Sequence, residues 1–499
     1  MNRNYQSFKK QARELTELRS ILSTLTWDQE TMIPTLGSSI RAGQLSTLAA
    51  VCHKRLTSPE MKEALEQLSE ETTLSLWQQT SVKEMQRQYD KAVKIPETLI
   101  SELAKTTSLA YQAWVTARND SNFSTFFPWL KKVVELKREE ARCLQSSESL
   151  YEALLDEYEP KVTEFELDTL FESIRPKLSA LLDRIQSSKQ ISENSLAGDF
   201  PIHQQKIFGE KILTAMGFKW DAGRLDSSPH PFCTGLSPLD VRITTRYDEQ
   251  DFSSSLFGII HEGGHALYEQ GLDLEHYGLP ACEAISLGIH ESQSRLWENQ
   301  VARSRPFWEY WLPHLQKYFP QQLQSISLEN FMHAINKVKA SFIRVEADEI
   351  TYGLHIILRY EIEKMLIGGD LEVEDIENVW NQKTHEYLGI TPSCPSEGVL
   401  QDTHWSQGLI GYFPTYLLGT VYASQIFHSA QESIPELSEH IRAGRLYPLK
   451  EWLQKKIHQH GKTLSASELI QEISDETLTN QYFLNYLENK FSEIYDLKL

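Results

Sequence analysis

Residues 254–271 read SSLFGIIHEGGHALYEQG, and this stretch governs the interpretation of the whole chain. An α-helix turns about 100° per residue, so His261 and His265 would lie about 40° apart, one turn above the other. Two imidazoles in that arrangement can bind one zinc ion, and Glu262, on the flank of the same face, can reach a metal-bound water without binding the metal. The apolar run LFGII before His261 predicts that the helix is buried. The stretch therefore predicts a buried helix that supplies two metal ligands and a general base.

A catalytic zinc site usually has three protein ligands, so a third is expected nearby. The side chains to consider are Asp273, Glu275, His276, Glu283, His290, Glu291 and Glu298. The first three fall in the turn LDLEHYGLP, too close to His265 for a second helix to have begun. The next helix is expected around residues 281–300, where Glu291 forms an (i, i+4) pair with Arg295. His290 competes with Glu291, and local spacing leaves both open.

Composition narrows the class of protein. The 499 residues carry a formal net charge of -20, with 69 acidic and 49 basic side chains, which argues against a nucleic-acid partner. No stretch approaches the roughly 18 apolar residues of a membrane span, and the polar N-terminus lacks the apolar core of a secretory signal. The cysteines are odd in number, dispersed and without a C-x-x-C pair, which favours the reducing cytoplasm over a disulfide framework. They are Cys52, Cys143, Cys233, Cys282 and Cys394.

The hydrophobic pattern predicts a mainly α fold in a single large domain, residues 1–499. Residues 1–199 read as long amphipathic helices, as in WLKKVVELKREEARCL at 129–144, and end in a polar connection at 187–199. Residues 200–499 would form the catalytic part. Within them, alternation in VRITTR at 241–246 predicts a short strand or hairpin, so a small β-sheet is expected next to the metal-binding helix.

Several further stretches, taken with HEGGH, make the chain resemble the carboxypeptidase Taq family of zinc metallocarboxypeptidases. HEGGHALYEQG is followed by GIHESQSRLWEN at 288–299, and LTWDQETMIP at 25–34 resembles the family's N-terminal region. The other signature stretches are HPF at 230–232, DVRIT at 240–244, IRVEAD at 343–348 and GVLQDTHW at 398–405. The resemblance covers nearly the whole chain, in several ordered motifs.

The resemblance implies a site and an activity. It makes His261, His265 and Glu291 the ligands of one Zn2+ ion per chain, with Co2+ as a possible substitute, and Glu262 the residue that activates water. It implies a saddle-like helical fold with a deep active-site groove, which residues 1–199 would cover, and a homodimer. It also implies hydrolysis of single residues from the free C-termini of peptides.

A carboxypeptidase must recognise the α-carboxylate of its substrate, and the planar fork of arginine is best suited to it. The match to IRVEAD makes Arg344 the candidate. A structural pair between Arg344 and Asp348, at (i, i+4), is the alternative.

Other residues of the matched motifs are candidates for contacting the substrate. His404, Tyr412 and Tyr416 could donate to the oxyanion that develops at the scissile carbonyl. Arg242, beside Asp240 on the predicted strand, could line the site or brace it. His230 could support a ligand or could be an ordinary loop residue.

Gly263 and Gly264, at the centre of the metal-binding helix, should together cost about 2 kcal/mol of helix propensity relative to alanine. Gly263 would point away from the metal, where it lets another helix pack closely. Gly264 would flank the metal face opposite Glu262, and we expect it to leave room for a bound peptide or for the 240–244 strand. On that interpretation Gly264→Leu keeps zinc but loses peptide turnover.

Two other functions compete with a carboxypeptidase. An oligoendopeptidase has the same zinc motif but cuts internal bonds, and a peptide-binding protein without activity would be marked by loss of Glu262 or of the third ligand. Glu262 and candidates for the third ligand are both present in this sequence.

Overall fold

Helices make up most of the chain, as the spacing of its apolar residues predicts. The computed structural model describes residues 3–144, 149–189, 196 and 198–497. Its α-helices are, in chain order, α1 Arg3–Thr31, α2 Ser38–Leu56, α3 Pro59–Leu68, α4 Leu76–Lys94, α5 Glu97–Asn119, α6 Phe123–Leu144, α7 Leu150–Leu155, α8 Glu164–Gln186, α9 Ile202–Met216, α10 Phe252–Gly271, α11 Leu287–Arg295, α12 Arg305–Tyr318, α13 Pro320–Leu323, α14 Leu328–Ile335, α15 Thr351–Gly368, α16 Ile376–Leu388, α17 Pro414–Ser433, α18 Leu437–Arg442, α19 Tyr447–Lys456, α20 Ala466–Ser474 and α21 Gln481–Tyr495. A π-helical stretch, Leu296–Ala302, continues α11. No helix in this part of the chain combines the length and apolar character that crossing a bilayer requires.

A three-stranded sheet lies against α10, as predicted. Its strands are β1 Gly223–Ser227, β2 Cys233–Ser237 and β3 Asp240–Thr245, in the order β1-β3-β2, with β1 parallel and β2 antiparallel to β3. Val241 and Ile243 of β3 are fully buried, as the alternation predicts. Thr244 is also buried, because its hydroxyl is satisfied by the Ser228 hydroxyl and by the backbone N–H of Phe232. The strand prediction is confirmed, and the mainly α fold class with it.

The buried apolar side chains form two clusters. The larger contains residues between 110 and 495 and surrounds α10 and α11. The smaller contains residues between 5 and 92 and, from the rest of the described chain, Leu279. Helices α1–α4, called the N-terminal hairpins below, therefore have a core of their own. The functional division at residue 199 remains a prediction, and residues 190–195 and 197 of the predicted connection lie outside the described residues.

Aromatic and ionic contacts join the N-terminal hairpins to the rest of the molecule. The Trp27 ring lies beneath the guanidinium groups of Arg242 and Arg224, 4.4 and 5.0 Å from their carbon atoms. The Trp77 ring stacks on His276 at 4.0 Å. Such contacts fix one body against another with less apolar burial than a shared core provides.

Local sequence explains where α10 begins. Asp251 caps its N-terminus by accepting from the backbone N–H groups of Ser253 and Ser254. From there the helix runs between β2 and β3 on one side and α9 and α11 on others, so that Phe257, Ile260 and Leu267 are all buried. The short apolar run before His261 is thus enclosed by packed elements, which holds the following turn rigidly.

Candidate metal centre

Three side chains converge where α10 meets α11. One ligand atom from each of His261, His265 and Glu291 lies within 4.8 Å of the others, and within the described part of the chain they form the one cluster suited to a metal ion. His261 Nε2 and His265 Nε2 lie 3.6 and 3.3 Å from Glu291 Oε2. Glu291 is therefore the carboxylate that meets the two histidines.

These distances fit a zinc ion. Two atoms bound tetrahedrally to one ion at ~2.0–2.1 Å lie about 3.3 Å from each other. Glu291 Oε2 lies 3.6 and 3.3 Å from the two Nε2 atoms, close to this separation. Two imidazoles with one carboxylate also form a donor set typical of catalytic zinc.

Glu298 fixes the orientation of His261. Its Oε2 lies 2.9 Å from His261 Nδ1, which leaves Nε2 for the metal. Arg295 donates to Glu291 Oε1 at 2.7 Å and to Glu298 Oε2 at 3.3 Å, and Arg303 donates to Glu298 Oε1 at 3.4 Å. Burial acts to raise the pKa of Glu298, but His261 and Arg295 outweigh it and lower that pKa to about 2. Glu298 is thus ionised and hydrogen-bonded to a candidate ligand.

His290, which the sequence left open as a ligand, faces another partner. Its Nε2 lies 2.9 Å from Glu269 Oε1, and its ring stacks on the His265 ring with 4.4 Å between centroids. The His290 ring therefore packs against the face of the His265 ring. The carboxylate of the next residue, Glu291, points towards the candidate metal position.

Burial tunes the protonation of the centre. It lowers the pKa of His265 to about 3, with His290 acting in the same direction, so His265 is neutral at pH 7 and ready to bind a cation. Burial also raises the pKa of Glu262 to about 7; the nearby Glu291 acts in the same direction and His261 opposes it. A carboxylate with a pKa near the working pH is suited to accept and return a proton.

The structure confirms the expectation for Gly263 and corrects the one for Gly264. A Cβ at Gly263 would lie 2.6 Å from Leu213 Cδ2 of α9, so a helix does pack there. A Cβ at Gly264 would lie 2.6 Å from the Gln293 carbonyl oxygen and 2.7 Å from Ser294 Cα. The neighbour of Gly264 is therefore the backbone of α11, and neither a bound peptide nor the 240–244 strand needs its clearance. The helical wheel predicts the direction in which Gly264 faces, but it cannot identify which element of the fold lies on that side.

This contact changes the expected effect of substitution. Gly264→Ala should push the α11 backbone, and Glu291 with it, away from the histidines, weakening metal binding by about tenfold or more. Gly263→Ala meets the ends of flexible side chains and should leave metal affinity nearly unchanged. Competition with a fluorescent chelator measures both. Tight metal binding by Gly264→Ala together with lost turnover would instead restore the substrate-clearance interpretation.

Arg344 is held by an acid, but not by the one the sequence offered. Its Nε and Nη2 each lie 2.9 Å from Asp402 Oδ1, whereas Asp348 accepts from the hydroxyl and backbone of Thr351. Arg359 binds the other oxygen of Asp402, with Nε at 2.7 Å. Burial acts to raise the pKa of Asp402, but Arg359 and Arg344 hold it well below its usual value. Arg344 is thus fixed on its Nε side by a permanently ionised carboxylate.

His404, Tyr412 and Tyr416 lie together beside Arg344. His404 Nε2 is 3.2 Å from the Tyr416 hydroxyl, and the rings of Tyr412 and Tyr416 are 5.3 Å apart. The Arg344 guanidinium carbon lies 5.1 Å from the Tyr416 ring centroid. Burial lowers the pKa of His404 to about 4 and raises that of Tyr412 to about 12, so both are neutral at pH 7 and able to donate hydrogen bonds.

The remaining candidates are Arg242 and His230, and both make contacts with structural elements of the fold. Arg242 donates from Nε and Nη2 to the two oxygens of Asp240, both at 2.9 Å, and covers the Trp27 ring. The pair therefore braces the N-terminal hairpins against β3. His230 is exposed in the turn between β1 and β2, where its carbonyl accepts from the Ser228 hydroxyl. Among the described residues, its ring has no hydrogen bond to the metal centre.

Tyr352 was missed by reasoning from sequence. Its ring lies under Arg295, 4.3 Å from the guanidinium carbon, and its hydroxyl is 3.4 Å from Arg344 Nη1. It thus connects the support of the metal centre to the candidate carboxylate site. Buried tyrosines on helices are usually core residues, and the sequence around Tyr352 carries no signal of a different role.

Comparison with known proteins identifies the family of this chain. The family described as carboxypeptidase Taq (M32) metallopeptidase matches residues 7–491. Thermostable carboxypeptidase 1 of Thermus thermophilus is 41% identical, over 98% of this chain and 99% of that protein. Carboxypeptidase 1 of Bacillus subtilis is 40% identical, over 97% of each.

A solved structure shares the fold over the whole length. The M32 carboxypeptidase from Deinococcus radiodurans R1 superposes with a TM-score of 0.97 at 34% identity, covering 99% of this chain and 100% of that one. A family match over almost every residue, with relatives near 40% identity, establishes membership. The chain belongs to the carboxypeptidase Taq (M32) metallopeptidases and is a metallocarboxypeptidase.

Proposed function

We propose that the enzyme uses one zinc ion, held by His261, His265 and Glu291, to remove single residues from the free C-termini of peptides. The observation that carries the proposal is the convergence of these three side chains at 3.3–3.6 Å with Glu262 buried beside them. Zinc in such a site lowers the pKa of a bound water to about 7 and polarises a carbonyl. Cobalt, which accepts the same ligands, is the expected substitute.

Glu262 carries the proton in this proposal. It takes a proton from the attacking water and returns it to the departing amine. Its enclosed position, with about 7% of the residue exposed, keeps bulk water from competing for that proton.

Arg344 binds the substrate carboxylate. Asp402 occupies the Nε side of the guanidinium, so the Nη1–Nη2 edge presents a donor pair to a second carboxylate. Arg344 stays charged next to Asp402, and the hydroxyl of Tyr352 beside Nη1 adds a further polar contact. His404, Tyr412 and Tyr416, neutral and grouped next to Arg344, are the donors we assign to the oxyanion.

Two finer proposals come from the family resemblance: the enzyme forms a homodimer, and residues 1–199 cover the peptide groove. A third, that the protein works in the cytoplasm, comes from the cysteine pattern. All five cysteines are unpaired in the structure, which suits a reducing compartment. Sedimentation in the micromolar range tests the dimer.

A time course of the products tests the proposed activity. An unstructured peptide should yield a ladder of products, each one residue shorter at the C-terminus, and a chelator should abolish the ladder until zinc is restored. Internal fragments would favour the oligoendopeptidase, and an intact peptide in the presence of zinc would favour a binding protein. An N-terminally acetylated peptide serves as the control, because its C-terminal ladder should be unchanged.

A further inference from the structure

The helix that carries Glu291, α11, packs closely against a glycine of each of two neighbouring helices. Gly264 of α10 touches its backbone, as described above. On the other side, a Cβ at Gly419 of α17 would lie 2.6 Å from Glu291 Cβ and Cγ. These contacts set how far α11 lies from its neighbours. A smooth glycine contact restrains movement along the helix axis poorly, so the position of Glu291 along that axis needs a further restraint.

A buried carboxylate at the N-terminus of α11 supplies it. Glu159, in the turn after α7, is 0% exposed. Its Oε2 accepts from the Gly288 backbone N–H at 2.8 Å, and its Oε1 accepts from the Ser286 hydroxyl at 2.8 Å and the Tyr422 hydroxyl at 3.4 Å. The Ser286 hydroxyl in turn accepts from the Ile289 N–H. Two first-turn N–H groups of α11 are therefore tied, directly or through Ser286, to Glu159.

The Glu159 carboxylate packs tightly against the first turn of α11. A Cβ at Gly288 would lie 2.6 Å from Glu159 Oε2, so only glycine lets the carboxylate reach this N–H. The Leu287 N–H also donates to the carbonyl of Tyr158, at 3.0 Å. Both bonds run from the Tyr158–Glu159 turn to the first turn of α11, and Glu291 lies one turn further along.

We propose that Glu159 is a positioning residue of the reaction, which sets the axial position of α11 and so brings Glu291 to ligand distance from His261 and His265. The inference rests on the proposed metal centre. Metal–ligand distances tolerate about 0.2 Å, so a small axial shift of α11 weakens metal binding. The Glu159 carboxylate is hydrogen-bonded to Ser286, Gly288 and Tyr422, and none of these is a proposed metal ligand.

The chain contains a matched control. Glu363 is also 0% exposed and also accepts three hydrogen bonds, from Trp405 Nε1, the Gly411 N–H and the Tyr151 hydroxyl, at 2.8, 3.0 and 2.9 Å. Burial raises the pKa of both carboxyl groups to about 7. Glu363, however, holds the segment that carries His404 and Tyr412, and not α11. The two residues differ in what they position while sharing their chemistry.

Glutamine at each position tests the difference. The amide has the same shape, but its NH2 cannot accept, so Glu159→Gln and Glu363→Gln each lose a hydrogen bond and both should lower the Tm of the metal-free protein. Chelator competition should show zinc affinity reduced about tenfold in Glu159→Gln and within twofold of wild type in Glu363→Gln. With saturating zinc, KM should be near wild type in Glu159→Gln and raised in Glu363→Gln.

Equal zinc affinity in the two variants, at similar loss of Tm, would overturn the proposal and leave Glu159 a stabilising residue only. If Glu159→Gln does not fold, Ser286→Ala decides, because it removes one hydrogen bond to Glu159 and the cap of α11. It should weaken zinc binding, and unchanged affinity would also overturn the proposal. Failure of the wild-type protein to bind one zinc ion would instead refute the metal centre itself.

Discussion

Glu262→Gln is expected to lower kcat by about 10²- to 10⁴-fold, which is the usual contribution of a general base. The amide has nearly the same shape but cannot take the proton of the attacking water. Metal affinity should stay within a few-fold of wild type, because the proposed ligands are His261, His265 and Glu291. The measurement combines steady-state kinetics with the zinc content of the purified variant.

A neighbouring glutamate provides the control for this prediction. Glu275, exposed in the turn after α10, should tolerate the same substitution with unchanged kcat. If Glu262→Gln keeps more than a tenth of the wild-type kcat while zinc is bound, another group must carry the proton. Loss of zinc together with activity would instead show that Glu262 organises the ligands.

Arg344→Ala should lower kcat/KM for a peptide with a free C-terminus by about 10²-fold or more, because truncating one partner of a buried charge pair costs ~2–5 kcal/mol. The C-terminally amidated twin of the peptide, a poor substrate for the wild type, should be affected much less. The preference for the free acid should therefore nearly disappear. Arg344→Lys, which keeps the charge but loses the planar fork, should recover only part of it.

Arg242→Ala is the matched control for Arg344. Arg242 is also paired with an aspartate and stacked on an aromatic ring, but its partners are Asp240 and Trp27. We expect it to lower Tm without changing the ratio of rates on free-acid and amidated peptides. An intact preference for the free acid in Arg344→Ala would assign carboxylate recognition to a different residue.

Local sequence patterns were sufficient to predict the helix that carries the two histidines and the strand beside it. The spacing of His261 and His265 predicts a helix with both imidazoles on one face, and the alternation in residues 241–246 predicts β3. Both signals depend on residues that are near one another in sequence, where helical or strand periodicity acts directly. The structure agrees with both.

The choice between His290 and Glu291 could not be made from the residues alone. Adjacent residues differ by about 100° around a helix, and which of them faces α10 depends on how α11 is rotated. That rotation depends on how α11 packs against α10 and α17, two helices whose Gly264 and Gly419 lie directly against it. Only the resemblance to the family selected Glu291 in advance.

The same limit applies to the partners of the site residues. Arg344 and Asp402 are separated by 58 positions, and Glu159 and Ser286 by 127. Pairs at such separations follow from the packing of whole helices, so a local (i, i+4) pattern pointed to Asp348 instead. Long-range polar contacts of this kind carry no signal in a single sequence.

The separate core of the N-terminal hairpins affects how the protein opens. Residues 5–92 bury their apolar side chains mainly against one another and against Leu279, and aromatic and ionic contacts also join them to the remaining chain. Such a unit can detach and unfold on its own at a lower free energy than global unfolding requires. Protection of backbone amides against hydrogen exchange should then fall into two levels, and a single melting temperature would describe the larger core and not the entire polypeptide.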